Sequence, residues 1–389
     1  MVPNGWNSKP LVQLLDKIID YRGQSVPKSS FGIPLITARN VREGYLDFSN
    51  QEYIDESKFK EWMTRGAPQK GDILFTTEAP LGKACRYPNT GVYGVGQRTV
   101  TLRTNDKLDS EFLLYTILSE RGQRLIDVRS SGSTAKGIKS SELKKIKITY
   151  PEPLPEQRKI AKILSTWDKA ISTTERLINN SKQQKKALMQ QLLTGKKRLL
   201  DDSGKPFEGE WEDLHLADIA SIKKGKALSA KNVISGTYPV IAGGKTSPYS
   251  HNEYTHENIV TVSASGAYAG YVSHHEYKIW ASDCSVVTEK KDNCLLFIFQ
   301  FLKLNQNKIY SMQSGGAQPH IYPKDLQVLK VKKPNLDEQL KIASVLTNAD
   351  QEIELLEQQL ADLKQEKKAL MQQLLTGKRR VIVDEKEVA

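Results

Sequence analysis

Between residues 346 and 374, apolar side chains recur in alternating steps of three and four: Leu346, Ala349, Ile353, Leu356, Leu360, Leu363, Leu370 and Leu374, with only Lys367 interrupting. Steps of this kind keep one face of a helix apolar, and over this length they predict a coiled-coil helix that needs a helical partner. A weaker copy of the seam comes earlier, at Leu164, Trp167, Ile171, Ile178, Leu188 and Leu192, broken by Thr174, Ser181 and Lys185. The two stretches align without a gap. Residues 155–196 and 337–378 are identical at 23 of 42 positions, and the last 12, KKALMQQLLTGK, are the same in both. Each copy is the natural partner of the other. If the halves of the chain are related by a two-fold axis across the helices, the helices run antiparallel. About 40 residues at 1.5 Å each then give rods of roughly 60 Å, which would hold two globular domains at a fixed spacing.

Punctuation supports these helices. Pro151, Pro153 and Pro155 precede the first and Pro334 the second, where proline is tolerated, and Asp337 suits an N-cap. Gly195 and Gly377 stand where a helix stop belongs. The basic clusters that follow, Lys196 to Arg198 and Lys378 to Arg380, either complement the negative end of the helix dipole or touch phosphates. A heptad alone does not demand twelve identical residues. Recent duplication accounts for them, as do two equivalent surfaces for one second protein. The contacts would then be Lys186, Met189, Gln190 and Leu193 on one helix, and Lys368, Met371, Gln372 and Leu375 on the other.

Before each helix the apolar pattern shortens to strand-like runs that recur in the same order. PLITA at 34–38 matches PVIAG at 239–243, DILFTT at 72–77 matches NIVTVS at 258–263, and TVTLR at 99–103 matches SVVTE at 285–289. A helical segment follows in each half, 111–125 and 295–309, then a polar Gly-rich loop and a final strand. The expected organisation is a first globular domain at 1–150, a long helix at 151–196 and a linker at 197–210. A second domain at 211–333, a long helix at 334–378 and a charged tail at 379–389 complete it. The fold class is α+β: two mixed α/β domains joined and separated by two long antiparallel helices, with a pseudo-two-fold repeat.

Composition adds a partner. Lys and Arg total 57 against 45 Asp and Glu, a net charge of +12 and a pI near 9.3, the balance expected of a protein that sits on a polyanion. The loops that differ between the halves carry side chains suited to groove reading. They are Arg39, Asn40 and Arg42 in one loop of the first half, and Thr77, Glu78, Lys83 and Arg86 in the next. Lys245, Thr246, Tyr249, His251, Ser265 and Tyr268 stand at corresponding places in the second half. Ser133, Thr134 and Lys136, with Gln318 and His320, suit phosphate or groove-edge contacts. One frame carrying two different loop sets fits a reader of two different half-sites in double-stranded DNA.

Catalytic patterns are missing from the sequence. Gly244, Lys245 and Thr246 resemble the tail of a phosphate-binding loop, but the first glycine of that motif would fall on Pro239. The six histidines show no metal-ligand spacing, and the counterparts of Asp72 and Glu78 in the second half are Asn258 and Ala264, which argues against a nuclease dyad. No catalytic, metal or cofactor residue is expected. Cys85, Cys284 and Cys294 lack CxxC spacing and fit a reducing cytoplasm, and neither a signal peptide nor a membrane span is evident.

In its motifs the chain resembles the DNA-specificity subunits of Type I restriction-modification systems. The residues carrying the likeness are GDILFTTEAPLGKA at 71–84, the SGST run leading to LKKIKI and Pro151, PxxEQxKIA at 153–161 with its one-residue-longer counterpart PxxxEQxKIA at 334–343, both LLTGK ends, and Trp6 and Trp211 near the start of each half. The second half departs from the GDIL pattern with ENIVTVSASGAYAG. The resemblance implies a non-catalytic adaptor whose two domains each read half of a bipartite asymmetric site, with the helices setting the unread gap. It also implies two methyltransferase subunits that supply the S-adenosylmethionine site, and motor-endonuclease subunits for cleavage. A helical scaffold that binds no DNA and a stand-alone DNA-binding protein are the competing readings.

Overall fold

The computed structural model describes residues 2–132, 136–245, 247 and 249–383. It divides into two compact units, one formed by residues 1–173 with 360–389 and the other by residues 174–359. Both long helices are therefore shared between units. The first runs Leu154–Leu192 and the second Leu336–Leu374, 39 residues each.

In the first unit a four-stranded antiparallel sheet has the order Leu15–Asp20, Thr99–Thr104, Ile73–Thr76, Ala84–Arg86. A second sheet orders Lys28–Ser29, Glu52–Ile54, Ile33–Ile36 and Gly94–Val95, the last pair parallel. Trp6–Pro10 pairs with Lys147–Pro151 just before the first long helix. Every residue of Ile73–Thr76 is buried because both faces of the strand are covered. Ile73 and Phe75 enter the main core, while Leu74 packs with Ile36, Val41, Cys85 and Val95.

The second unit repeats this plan. Its four-stranded sheet orders Ala220–Lys224, Cys284–Glu289, Ile259–Ser263 and Val272–His275. A smaller sheet again contains one parallel pair, Tyr238–Ile241 with Trp280–Ala281, and Glu212–His215 pairs with Lys330–Lys333.

Two local expectations change. The single helical segment expected at 111–125 is two helices, Ser110–Leu118 and Glu120–Val128. Ser119 sits between them in an extended conformation, and its hydroxyl accepts from the Gly122 N–H at 3.0 Å, so it ends one helix and caps the next. The second unit is also interrupted, at Asn305 between Leu295–Leu304 and Gln306–Ser311, but Asn305 makes no side-chain cap to the second helix. Asn335, not Asp337, caps the second long helix, its Oδ1 accepting from the Glu338 N–H at 2.9 Å.

The cores account for the apolar positions of the identical helix ends. In the second unit Met189, Leu192 and Leu193 from the end of the first long helix join a core with Leu216, Phe297, Ile342 and Leu346. In the first unit Leu374 and Leu375 from the end of the second long helix join Trp6, Phe112, Ile160 and Leu164. Each end then stops on a glycine with positive φ, Gly195 at +72° against Trp211 and Gly377 at +70° against Pro3 and Trp6. Arg198 reaches back to Glu338 at 2.7 Å, and Arg380 to Glu156 at 2.6 Å, both carboxylates being almost fully buried. The Lys185–Asp350 and Lys367–Asp168 pairs repeat the exchange further along the helices. Within each unit the paired residue numbers rise on one helix as they fall on the other, so the segments run antiparallel.

Candidate nucleic-acid interface

In the first unit the loop after Ile33–Ile36 is built around Asn40. Its Oδ1 accepts from the Thr37 N–H at 2.9 Å and the Thr37 hydroxyl at 2.8 Å, while its Nδ2 donates to the carbonyls of Asp47 and Asn50. The side chain is fully buried. Asn40 is therefore a staple of the loop and is withdrawn as a base contact. It holds the chain so that the neighbouring Arg39 is exposed, with no hydrogen-bond or ion-pair partner among the described residues.

The other cations of this face are paired. Arg42 binds Asp47 at 3.0 Å, and hydrogen bonds from Ser49 and then from Arg42 hold the Asp47 carboxyl down to about 2. Lys83 pairs with Glu43. Arg86 is gripped by Glu111 and also donates to the Gly44 carbonyl and the Tyr115 hydroxyl, which makes it a strut between strand, loop and helix and not a free reader of bases. Glu78 pairs with Arg98 at 3.0 Å. Thr77 is buried and donates to the Arg98 carbonyl, so it too is withdrawn as a contact. Lys136 pairs with Asp127, and Ser133 and Thr134 lie outside the described residues. The structure does bring two of the expected loops together: Gly137 bridges to both Glu78 and Ser131. Asp72, weighed in the sequence as an acid, is a buried partner of Arg103 at 2.8 Å.

The second unit uses different chemistry at the same place in the fold. Lys245 lies over the rings of Tyr268 and Tyr271, 5.1 and 5.4 Å from their centroids. Tyr249, Tyr268 and Gln318 are exposed, and His320 is half-buried. His320 bridges to Ser265 and Ser314, the counterpart of the Gly137 bridges. Ser265 donates to Asp283. His251 is buried, stacked on Trp280 at 4.5 Å, with one ring nitrogen facing the Asn232 carbonyl and the other accepting from the Glu253 N–H. It is a core histidine, and the expectation of a DNA contact is withdrawn. Thr246 lies outside the described residues.

The sequence reading missed the extent of this lysine–aromatic surface. Lys224 and Lys324 lie over Tyr322, Lys226 over Trp280 and Lys278 over Tyr254. A composition signal was present: residues 1–150 hold ten arginines, whereas residues 211–333 hold none and contain all six histidines.

The expected partner contacts divide in two. Met189, Leu193 and Leu375 are buried in the chain's own cores and Met371 is partly so, because the helix ends dock there. Lys186 and Gln190 are exposed, whereas Lys368 and Gln372 engage Glu120. Among the described residues no helix is long and apolar enough to cross a membrane.

The architecture is that of a twice-repeated α+β recognition module on long helices. The Type I restriction modification DNA specificity domain matches twice, over residues 24–183 and 208–365, and the chain belongs to that family. It is a specificity chain and not a catalytic one. The MjaX specificity subunit of Methanocaldococcus jannaschii is 27% identical, covering 98% of this chain and 95% of its own length. The MjaVIII specificity subunit of the same organism is 24% identical over 98% and 94%. Among solved structures, the Type-I restriction-modification S subunit from M. genitalium superposes with a TM-score of 0.66 at 18% identity, covering 96% of this chain and 97% of that one. A chain from a type I R-M system superposes with a TM-score of 0.56 at 16% identity, over 97% and 100%.

Proposed function

We propose that each globular domain reads one half of a bipartite, asymmetric site in double-stranded DNA, that the long helices set the unread gap, and that two methyltransferase subunits dock on this chain. The observation that carries the reading is one strand-and-helix frame built twice with unlike loop chemistry, since identical half-sites would need identical loops. In this reading the recognition domains occupy 1–150 and 211–333, with the helical segments at 151–196 and 334–378 between and after them.

S-adenosylmethionine belongs to the methyltransferase, and this chain contributes position only; motor-endonuclease subunits join for cleavage. The direct DNA contacts remaining from the sequence reading are Arg39, Arg42, Glu78, Lys83, Lys136, Lys245, Tyr249, Tyr268 and Gln318, with the polar edges of Ser265 and His320 beside them. For the methyltransferase, the exposed Lys186 and Gln190 and the exposed Leu177, Leu340 and Leu355 on the helices offer contact area that the chain's own cores leave uncovered.

The test is adenine-methylation mapping by long-read sequencing in cells that express the cognate methyltransferase with and without this chain. A two-part motif that appears only with the chain supports the reading and yields both half-sites and the gap. If both proteins assemble and no new motif appears, a scaffold or a stand-alone binder becomes the better description.

A further inference from the structure

Of the ten arginines in residues 1–150, six form ion pairs with carboxylates and three more donate to protein oxygens. Arg39 has neither kind of partner among the described residues. It is nevertheless well placed. Asn40 beside it ties the loop with four hydrogen bonds, and the preceding Ala38 is buried. Arg39 borders a hollow of about 260 Å³ with Gln97 and Arg98, over a floor that includes Thr37, Ala38 and Gly96. Gln97 is exposed and also lacks a side-chain partner among the described residues, while Arg98 engages Glu78.

A guanidinium matches the O6 and N7 acceptors of guanine through two parallel hydrogen bonds, the commonest specific contact in the major groove. An arginine already held by a carboxylate has part of its five-donor fork committed and keeps fewer N–H groups for a base edge. Arg39 has no pair to break, and the stapled loop reduces the ordering that binding demands of the backbone. The second unit supplies an internal contrast. The corresponding loop places Gly244 and Lys245 after Tyr238–Ile241, and no arginine occurs anywhere in 211–333.

We infer that Arg39 reads a guanine in the first half-site, with Gln97 beside it on the same hollow. This rests on the reading of the chain as a DNA-specificity subunit. The experiment uses the assembled complex with its methyltransferase. Methylation motifs are mapped for the wild type, Arg39→Ala and Arg39→Lys, and assembly is checked for each. Arg39→Ala is expected to broaden one G·C position of one half-site, with about tenfold or greater loss of discrimination there, and to leave the other half-site unchanged. Separately, each guanine of the wild-type motif is replaced in turn by 7-deazaguanine, which lacks the N7 acceptor. One substitution in the first half-site should weaken wild-type binding about tenfold and have little further effect on Arg39→Ala. An unchanged motif in the assembled Arg39→Ala complex overturns the inference and leaves the specificity reading intact, as does broadening at an A·T position. Failure of the wild-type complex to give any bipartite motif overturns the underlying reading. If Arg39→Ala abolishes methylation altogether, the 7-deazaguanine series on the wild type decides, and indifference at every guanine of that half-site sinks the proposal.

Discussion

The two recognition domains share a frame and differ in how they hold positive charge. In the first, arginines and lysines face carboxylates: Arg42 with Asp47, Lys83 with Glu43, Arg98 with Glu78. In the second, lysines lie over aromatic rings, Lys245 on Tyr268 and Tyr271, Lys278 on Tyr254, Lys224 and Lys324 on Tyr322. A carboxylate neutralises the cation it positions and fixes its direction, whereas a ring positions it and leaves its formal charge in place. The same sheet order therefore carries cations held by carboxylates in one domain and by aromatic rings in the other. Duplicated architecture preserves the frame, and the chemistry on it is free to diverge.

The largest expected effect concerns what the halves still share. Glu338 is buried against Arg198, and Glu156 against Arg380, although each arginine comes from the opposite repeat to the core it closes. Removing the arginine leaves a buried carboxylate without its counter-charge, and because both guanidiniums are partly exposed the loss is about 1–3 kcal/mol. Arg198→Ala is expected to destabilise the second unit and Arg380→Ala the first, as read by amide hydrogen exchange on each unit in the full chain. Loss of protection in the same unit for both variants, or in neither, would show that the docks are not equivalent. By the same logic Leu192→Ala and Leu374→Ala cost about 2–5 kcal/mol each, again in opposite units.

Acid should separate the domains next. Burial, and then the neighbouring His274, lower His275 to about 4 from an ordinary 6.5, and its Nε2 faces the Thr261 hydroxyl at 2.9 Å. Above 6.5 the ring is neutral in both folded and unfolded chains. As the pH falls from 6.5 towards 4, the unfolded chain takes up a proton that the folded chain refuses, so stability is lost over that window, by up to about 3 kcal/mol. His256 and His274 are lowered in the same direction by burial. No histidine occurs in residues 1–150. Exchange protection in the second unit should therefore decline between pH 7 and 5 more steeply than in the first. His275→Gln should flatten that decline; an equal decline in both units, or no change in the variant, removes His275 as its cause.

The sequence carried the frame because the frame is written in repetition: two copies of a heptad, two glycine stops, and buried strands such as Ile73–Thr76 and Ile259–Ser263 that read as short apolar runs. The loops were less legible. Asn40 and Arg39 are adjacent polar residues with equal claim as DNA contacts, and only three-dimensional hydrogen bonding shows that one faces inward and the other outward. His251 fails for the same reason, since its stacking on Trp280 joins residues far apart in the chain. The apolar positions of the identical KKALMQQLLTGK ends serve an internal constraint, since Leu192, Leu193, Leu374 and Leu375 complete the chain's own cores, while Lys186 and Gln190 of the same stretch stay exposed. Periodicity identifies an apolar face without specifying what covers it.

The smallest effect bears most directly on the contrast in charge. Each phosphate neutralised by a protein cation steepens the fall of log affinity with log salt by about 0.9. Lys245 has no carboxylate partner among the described residues and lies over the Tyr268 ring, whereas Lys83 is paired with Glu43. If both approach phosphate, Lys83 brings a carboxylate that partly cancels its attraction, so its removal costs less of the slope. In binding titrations of the assembled complex between 50 and 200 mM salt, Lys245→Ala is expected to reduce the slope by about one. Lys83→Ala should reduce it by clearly less, and Glu43→Gln should steepen it as the pairing is lost. Equal reductions for the two lysine variants would mean that carboxylate and ring serve only to hold the side chains in place, and that the two faces attract DNA alike.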